Sequence, residues 1–407
     1  MKIFITKEQS PTESDFEFVE RKGRGHPDTL ADGLAEYLSV KYSLYTLKKF
    51  GAILHHNFDK IGLLGGSSSV RFGKGNLVKP IRVLINGRAS ISFGRIQIPI
   101  KELFIKWSRD FLGNELPLIF PQKDLKFLYA LSTQSSPGKM RENSTVSARS
   151  FWFQPRNLQD IPEFKKLVSN DTSLGVGYAP YSRLENLVLS IEKYLNSDLF
   201  RNKNKWIGSD IKILGFRHRK EFDLTMCIPQ IANFVNSSNE YHANIKRVQQ
   251  LVFSISKKLG FKNIDLHINT RDSDEKGEYY LTAIGSSIES GDEGFVGRGN
   301  RVNGIISPFR PMSIEGACGK NPVYHIGKIY YVLAHQLAHK IFKKFDIYNN
   351  IAIASQSGRD LLDPWIVAVN VPISFKNNRE LKLLIKKEVS QIFKITTAII
   401  ERNFSIY

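Results

Sequence analysis

Two stretches of this 407-residue chain hold the residues best suited to chemistry. In the first, Gly285, Gly291, Gly294, Gly297, Gly299, Gly304 and Gly316 alternate with Arg298, Arg301, Arg310, Lys320, His325 and Lys328. Glycine lets a backbone approach a ligand closely, and successive backbone N–H groups bind oxyanions. Cations set among them make a cradle for a polyphosphate, whose charge must be met at several oxygens. A glycine-rich solvent loop has the same composition, so composition alone leaves the two readings level. The second stretch runs from Val19 to Asp32 and contains Gly25-His26-Pro27-Asp28. It sets an imidazole and a carboxylate two residues apart at a helix start. Such a site serves a phosphate and its Mg²⁺ together. The plainer reading is capping, with Asp28 satisfying backbone N–H groups.

The elements that must position these groups follow from periodicity. Pro27 suits a first helical turn, and Leu30, Leu34 and Leu38 repeat at helical spacing after it. The same spacing predicts helices through Leu184, Leu187, Val188, Ile191 and Leu195, and through Ile245, Val248, Leu251, Val252 and Ile255. Two more are expected over 325–345 and 378–402. Alternation predicts strands at 81–87, 96–100, 264–269 and 365–371. Half-buried alternating strands among helices favour an antiparallel α+β design over a doubly wound sheet. Residues 135–165 and 197–206 read as surface excursions, the first carrying Phe151-Trp152-Phe153 and suited to a lid or an ordinary insertion.

Hydrophobic residues at 42% and aromatics at 11% indicate a folded protein of two or three domains, not a disordered chain. Cys227 and Cys318 are the only cysteines, which excludes a disulfide framework and suits a reducing cytoplasm. No signal peptide or membrane span is expected. The net charge of +19 is spread along the chain without a nucleic-acid-binding motif. It reads as surface bias that also favours capture of a polyanion, with no specific nucleic acid as partner.

Six collinear stretches carry a resemblance: GHPDTLADGLAE (25–36), ILHHNFDKIGLLGG (53–66), SNDTSLGVGYAPYS (169–182), GSDIKILG (208–215), GDEGFVGRGNRVNG (291–304) and GKNPVYHIGK (319–328). Together the chain resembles the S-adenosylmethionine synthetases (methionine adenosyltransferases) of archaeal type. The resemblance implies three similar α+β domains woven from discontinuous segments, near 1–24 with 181–287, 25–137 with 288–328, and 138–180 with 329–407. It implies attack of methionine sulfur on the 5′ carbon of ATP, then cleavage of the displaced triphosphate to diphosphate and phosphate. Mg²⁺, with K⁺ as a second ion, would assist in the cytoplasm. The active sites would lie between the subunits of a homodimer, alone or within a tetramer.

Residue by residue, the resemblance assigns His26, Lys60, Arg301 and Lys320 to catalysis and Asp28 to the metal. It assigns ATP and its phosphates to Asp210, Lys212, Gly297, Arg298, Gly299, Asn300, Asn321, His325 and Lys328. Methionine falls to Gln134, Ser135, Asp171, Thr172, Ser173 and Asp292. Each aspartate in these loops has turn formation as its plainer role, and each lysine a solvated charge. One segment departs from the archaeal pattern. A Gly-Pro-Gly-Ser run with a following acidic residue is replaced by 131–139, where Gln134-Ser135 is similar to the Gln-Ser pair of the bacterial and eukaryotic enzymes. Asn321 stands where the bacterial form has Asp. His335 and His339 at i, i+4 imitate a zinc-protease helix, but Gln336 replaces the general base. The alternatives are a paralogue acting on a methionine analogue and a catalytically weakened regulatory homologue.

Overall fold

The computed structural model describes residues 1–9, 14–134, 151–404 and 406–407. Three sheets carry the chain, and each repeats one pattern of pairing. In the first, Lys2–Glu8 lies parallel to Ile366–Pro372, which pairs antiparallel with Asn349–Ala354, itself antiparallel to Leu174–Ala179. In the second, Leu125–Ser132 lies parallel to Ile81–Ala89, and Gly62–Leu64 and Gly294–Phe295 follow in antiparallel order. In the third, Asp265–Ile268 lies parallel to Glu221–Cys227, followed antiparallel by Lys212–His218 and Phe16–Lys22. The expected α+β design of similar, interwoven units with mixed, largely antiparallel sheets is thus present.

Each sheet closes its own apolar core with helices. Helices α1 (Pro27–Phe50) and α2 (Ile100–Glu115) cover the second sheet, burying Leu30, Leu34, Leu38, Phe104 and Phe111 against Val83 and Ile85. Helices α3 (Arg183–Leu195) and α5 (Ser238–Lys258) cover the third, and short α4 (Asp198–Lys203) follows α3. Helices α6 (Ile326–Phe345), α7 (Asn378–Val389) and α8 (Phe393–Ile400) build on the first. Local signals set the ends. Ser182 and Glu185 form a capping box on α3, and α1 stops at Gly51, whose φ of 75° suits glycine. No helix among the described residues is long and apolar enough to cross a membrane.

Several expectations are corrected. Residues 96–100 are not a full strand. Only Ile96–Gln97 pairs, and α2 begins at Ile100 because Ile100, Phe104, Trp107 and Phe111 share one buried helical face. The single helix over 378–402 is two, broken between Val389 and Phe393. The surface excursion at 197–206 contains a short helix, where Ser197 caps α4 and Phe200 is buried. The N-terminal segment is divided between two sheets. Phe16–Lys22 pairs with Lys212–His218, whereas Lys2–Glu8 crosses to Ile366–Pro372, where Ile3 and Ile5 pack on the first core.

Candidate active site

The start of α1 organises the first group of residues. His26 is its N-cap, and its Nδ1 accepts the Asp28 backbone N–H at 3.2 Å. An imidazole that accepts at Nδ1 carries its proton on Nε2, so His26 is a hydrogen-bond donor in its neutral form. Burial lowers its pKa, against an upward pull from Asp210. Asp28 is 5% exposed and accepts twice, from Lys22 Nζ at 2.9 Å and from the Phe295 N–H at 3.0 Å. Arg298 Nε stands 3.9 Å from the same carboxylate on an exposed side chain. One turn along, buried Asp32 accepts the Gly297 N–H at 2.8 Å. Burial raises its carboxyl to about 7.

The glycine-rich loop is laid directly over this helix start. Gly297 has a φ of +88°, and a Cβ on Gly299 would strike the Asp32 carboxylate. Glycine is required at both for those reasons. Beside the loop, Asp210 is 2% exposed. Its Oδ2 accepts from the Ser287 N–H at 2.8 Å, the Ser287 hydroxyl at 2.6 Å and the Tyr280 hydroxyl at 3.4 Å. Burial raises its pKa, while nearby His26 draws it down. Asp292 is exposed and accepts the Ser287 hydroxyl at 3.0 Å. Lys212 is half-exposed, its ammonium 3.2 Å from Glu20.

A second group gathers around Lys320, which the backbone bridge to Asn57 fixes in place. Lys320 is 2% exposed, paired with Glu315 and 4.0 Å from Asp59. Burial lowers its ammonium to about 8, with Lys60 adding to the fall while Asp59 and Asp171 resist it. Lys60 is exposed and 2.8 Å from Asp59. His325 begins α6 without a side-chain cap, and its buried Nδ1 has no hydrogen-bond partner among the described residues. Burial and the surrounding Lys320, Lys328 and Lys60 hold its pKa well below the usual value. It opens on a cavity of about 310 Å³ whose walls include His55, Trp152, Phe153, Tyr324 and Asn170. At that rim, Asp171 accepts the Thr172 N–H at 2.7 Å, Thr172 Oγ1 accepts the Ser357 N–H at 3.1 Å, and the Ser173 carbonyl accepts the Ser355 N–H at 3.1 Å.

Four expected ligands are otherwise engaged. Lys328 is fully buried and donates to both carboxylate oxygens of Glu36, at 2.9 and 2.6 Å, so its charge is spent inside the fold. Asn321 is wholly buried, donating to the Leu54 carbonyl at 3.1 Å and accepting the Val323 N–H at 2.9 Å. The Arg301 guanidinium donates to the carbonyls of Ser313, Gly297 and Gly299 at 3.2, 2.6 and 2.7 Å, which holds the glycine loop. Asn300 clamps the Lys22 backbone from both sides, at 3.0 and 2.8 Å. These are positioning residues. Gln134 is exposed, and Ser135 lies outside the described residues together with the rest of the segment to 150. In the remainder of the excursion Phe153 and Ile161 are buried and Glu163 pairs with His55 at 2.9 Å.

Asp32, Glu315, Ser287 and Tyr280 had not been singled out. Asp32 lies within GHPDTLADGLAE, one turn after Asp28, and that spacing was the available signal. The other three become visible only through tertiary contact. Asp28 is a hard oxygen donor suited to Mg²⁺ that completes its shell with substrate phosphates. No group of three or more metal-ligating side chains occurs among the described residues, so phosphate and water would supply the other ligands, with Lys22 yielding its place. His335 and His339 stack beside Tyr181, and burial lowers His335 to about 3, which leaves a packed helix face. His56 is likewise buried in hydrogen bonds with Ser39 and Leu54.

A family model for S-adenosylmethionine synthetase (AdoMet synthetase) matches residues 1–403. The chain is 37% identical to an S-adenosylmethionine synthase of Thermoplasma acidophilum over 413 residues, covering 98% of this chain and 97% of that one. It is also 37% identical to the S-adenosylmethionine synthase of Sulfolobus acidocaldarius over 410 residues, at 98% and 97% coverage. Among solved structures, an S-adenosylmethionine synthetase described as unusual, from Campylobacter jejuni, aligns at a TM-score of 0.57 and 13% identity. It covers 94% of this chain and 89% of that one, a likeness of fold alone.

Proposed function

We propose that this chain, which belongs to the S-adenosylmethionine synthetase family, is an ATP-dependent methionine adenosyltransferase with its chemistry centred on His26. The match over residues 1–403, which runs through every loop described above, carries the reading. Methionine sulfur attacks the 5′ carbon of ATP, the carbon–oxygen bond breaks, and the triphosphate leaves as a sulfonium forms. Water then cleaves the triphosphate to diphosphate and phosphate. Neutral sulfur needs no general base, so the demand falls on the leaving group, where charge develops.

His26 meets that demand with its Nε2–H, donated to the departing oxygen. Lys212 and Arg298 beside it, and Lys60, Lys320 and His325 in the second group, receive the phosphates. Asp28 would hold Mg²⁺, whose chemistry there is neutralisation of phosphate charge; K⁺ is the second ion expected, without an assigned ligand here. Asp210 takes a ribose hydroxyl, and Asp171 and Asp292 take the methionine ammonium, with Gln134, Ser135, Thr172 and Ser173 lining the amino-acid side. The two groups are held by different elements, the first at the start of α1 and the second around Lys320 and the start of α6. That separation supports a homodimer in which each active site draws one group from each subunit. The exposed ring cluster of Phe16, Phe18 and Phe309 offers apolar surface for such contact. Two unpaired cysteines and the absence of a membrane-crossing helix among the described residues agree with a cytoplasmic setting.

The test is turnover with ATP, methionine and Mg²⁺, followed for S-adenosylmethionine, diphosphate and phosphate together. All three should appear in equal amounts. A folded dimer that formed none of them would overturn the reading and leave a regulatory homologue.

A further inference from the structure

We propose that Ser287 is a positioning residue that couples the nucleoside half of the site to the amino-acid half. The inference rests on the assignment of Asp210 to ribose and Asp292 to the methionine ammonium. The Ser287 hydroxyl lies 2.6 Å from Asp210 Oδ2 and 3.0 Å from Asp292 Oδ2. A hydroxyl has one proton to donate, so it cannot serve both carboxylates fully. The backbone N–H of Ser287 also goes to Asp210, at 2.8 Å, and the Tyr280 hydroxyl stands 3.4 Å from the same oxygen. Capping of the short turn falls to the neighbour, since Ser286 Oγ accepts the Ile288 N–H at 3.4 Å. The Ser287 side chain is therefore placed between two acceptors that compete for it.

Competition gives the coupling its sign. An ammonium on Asp292 takes up that carboxylate and turns the Ser287 proton to Asp210, onto the oxygen a ribose hydroxyl would use. A ribose hydroxyl donated to Asp210 likewise turns the proton toward Asp292. With both substrates bound the hydroxyl has lost both acceptors, so each substrate weakens the site of the other, and by linkage the two factors are equal.

The experiment is titration calorimetry with norleucine, which keeps the ammonium and carboxylate of methionine but has no sulfur to react. Norleucine is titrated into the intact protein with Mg²⁺, with and without saturating ATP. ATP should weaken norleucine at least about fivefold, the lower end of ordinary coupling factors. Ser287→Ala should reduce that ratio to within about twofold of unity while each ligand alone still binds, and Ser287→Thr should restore it. Should the alanine variant fail to fold, Ser287→Cys carries the test, having the same shape with a weak donor. A wild-type ratio near one, or a hydroxyl-free variant that keeps the full ratio, overturns the proposal. Failure of the underlying reading looks different: Asp292→Asn and Asp210→Asn would then leave norleucine and ATP affinities unchanged.

Discussion

The region around His26 and the region around Lys320 handle charge in opposite ways. At the start of α1, the carboxylates of Asp28 and Asp32 each accept a backbone N–H of the glycine loop, at 3.0 and 2.8 Å, and Asp28 also accepts from the Lys22 ammonium at 2.9 Å. The imidazole there is a neutral donor, and exposed Arg298 supplies mobile charge at the edge. Around Lys320 a cation is buried, and its ammonium is drawn down to about 8 despite Glu315 and Asp59. The first region is organised around backbone dipoles and one ion pair; the second is organised around a buried cation with Glu315 and Asp59 beside it. Helix α6 draws the contrast again within a single turn. Lys328, near its start, is neutralised by Glu36, whereas His325 is left without a partner. Both motif lysines thus face a carboxylate, and they differ in that Lys328 and its partner Glu36 are both buried, whereas Lys320 shares Asp59 with exposed Lys60.

The strongest test of that distinction is Lys328→Met. Removing one member of a buried ion pair strands the other, at a cost of about 3–5 kcal/mol. Thermal or denaturant unfolding should show a loss of that order, and Glu36→Gln added to Lys328→Met should recover much of it. A stable single variant with weakened ATP use would return Lys328 to the phosphate site.

His26→Ala comes next and acts on turnover, not stability. Removing one donor to developing negative charge costs about 2.7–4 kcal/mol, or roughly a hundred- to a thousandfold in kcat. The KM for ATP should change little, because the bond strengthens only as triphosphate departs. Near-normal kcat would reduce His26 to a helix cap.

Legibility in the sequence follows the range of the interaction. The start of α1 was readable because Pro27 acts within one turn, and α3 because Leu184, Leu187, Val188, Ile191 and Leu195 repeat at helical spacing. His26 and Asp28 were readable from Gly25-His26-Pro27-Asp28 at a helix start, whereas Asp210 was reached only through the resemblance carried by GSDIKILG. The capture of Lys328 by Glu36 was not, since it depends on α1 and α6 meeting through residues far apart in sequence. Nor was the crossing of Lys2–Glu8 to Ile366–Pro372, because a β-strand carries no local mark of its partner. Residues 96–100 misled for another reason: a short apolar run fits alternation and a helix start equally, and only packing of Ile100 and Phe104 decides.

Lys320→Met should weaken ATP use by roughly ten- to a hundredfold, the worth of a charge-assisted hydrogen bond of about 1.5–3 kcal/mol. The pH profile sharpens the claim. Below about 8 Lys320 is charged and able to receive phosphate; above it the charge is lost, so kcat/KM for ATP should fall on the alkaline side. Lys320→Arg, which stays charged, should flatten that limb. An alkaline limb unchanged by arginine would assign the titration elsewhere. Asp28→Asn should have a smaller effect, raising the Mg²⁺ concentration needed for half-maximal turnover while keeping the helix start intact, since Asn caps about as well as Asp. An unchanged Mg²⁺ titration would leave Asp28 as the partner of Lys22 alone.

The smallest effect is expected at Gln134, in the segment that departs from the archaeal pattern. Its side chain is exposed in the single chain, so it does not hold a buried hydrogen bond that substitution would break. A bond formed to methionine on assembly would contribute net about 0.5–1.5 kcal/mol, roughly two- to tenfold in apparent affinity. Gln134→Ala should therefore raise the KM for methionine by that factor and leave the KM for ATP unchanged, because among the described residues no nucleotide-binding candidate is hydrogen-bonded to it. The control is Asp171→Asn, at the rim of the cavity beside Trp152 and Phe153, where loss of the carboxylate should weaken methionine more than loss of the amide at 134. Equal changes in both substrates at Gln134 would indicate that the strand end of Leu125–Ser132 shifts as a whole, and would remove the residue from the amino-acid pocket.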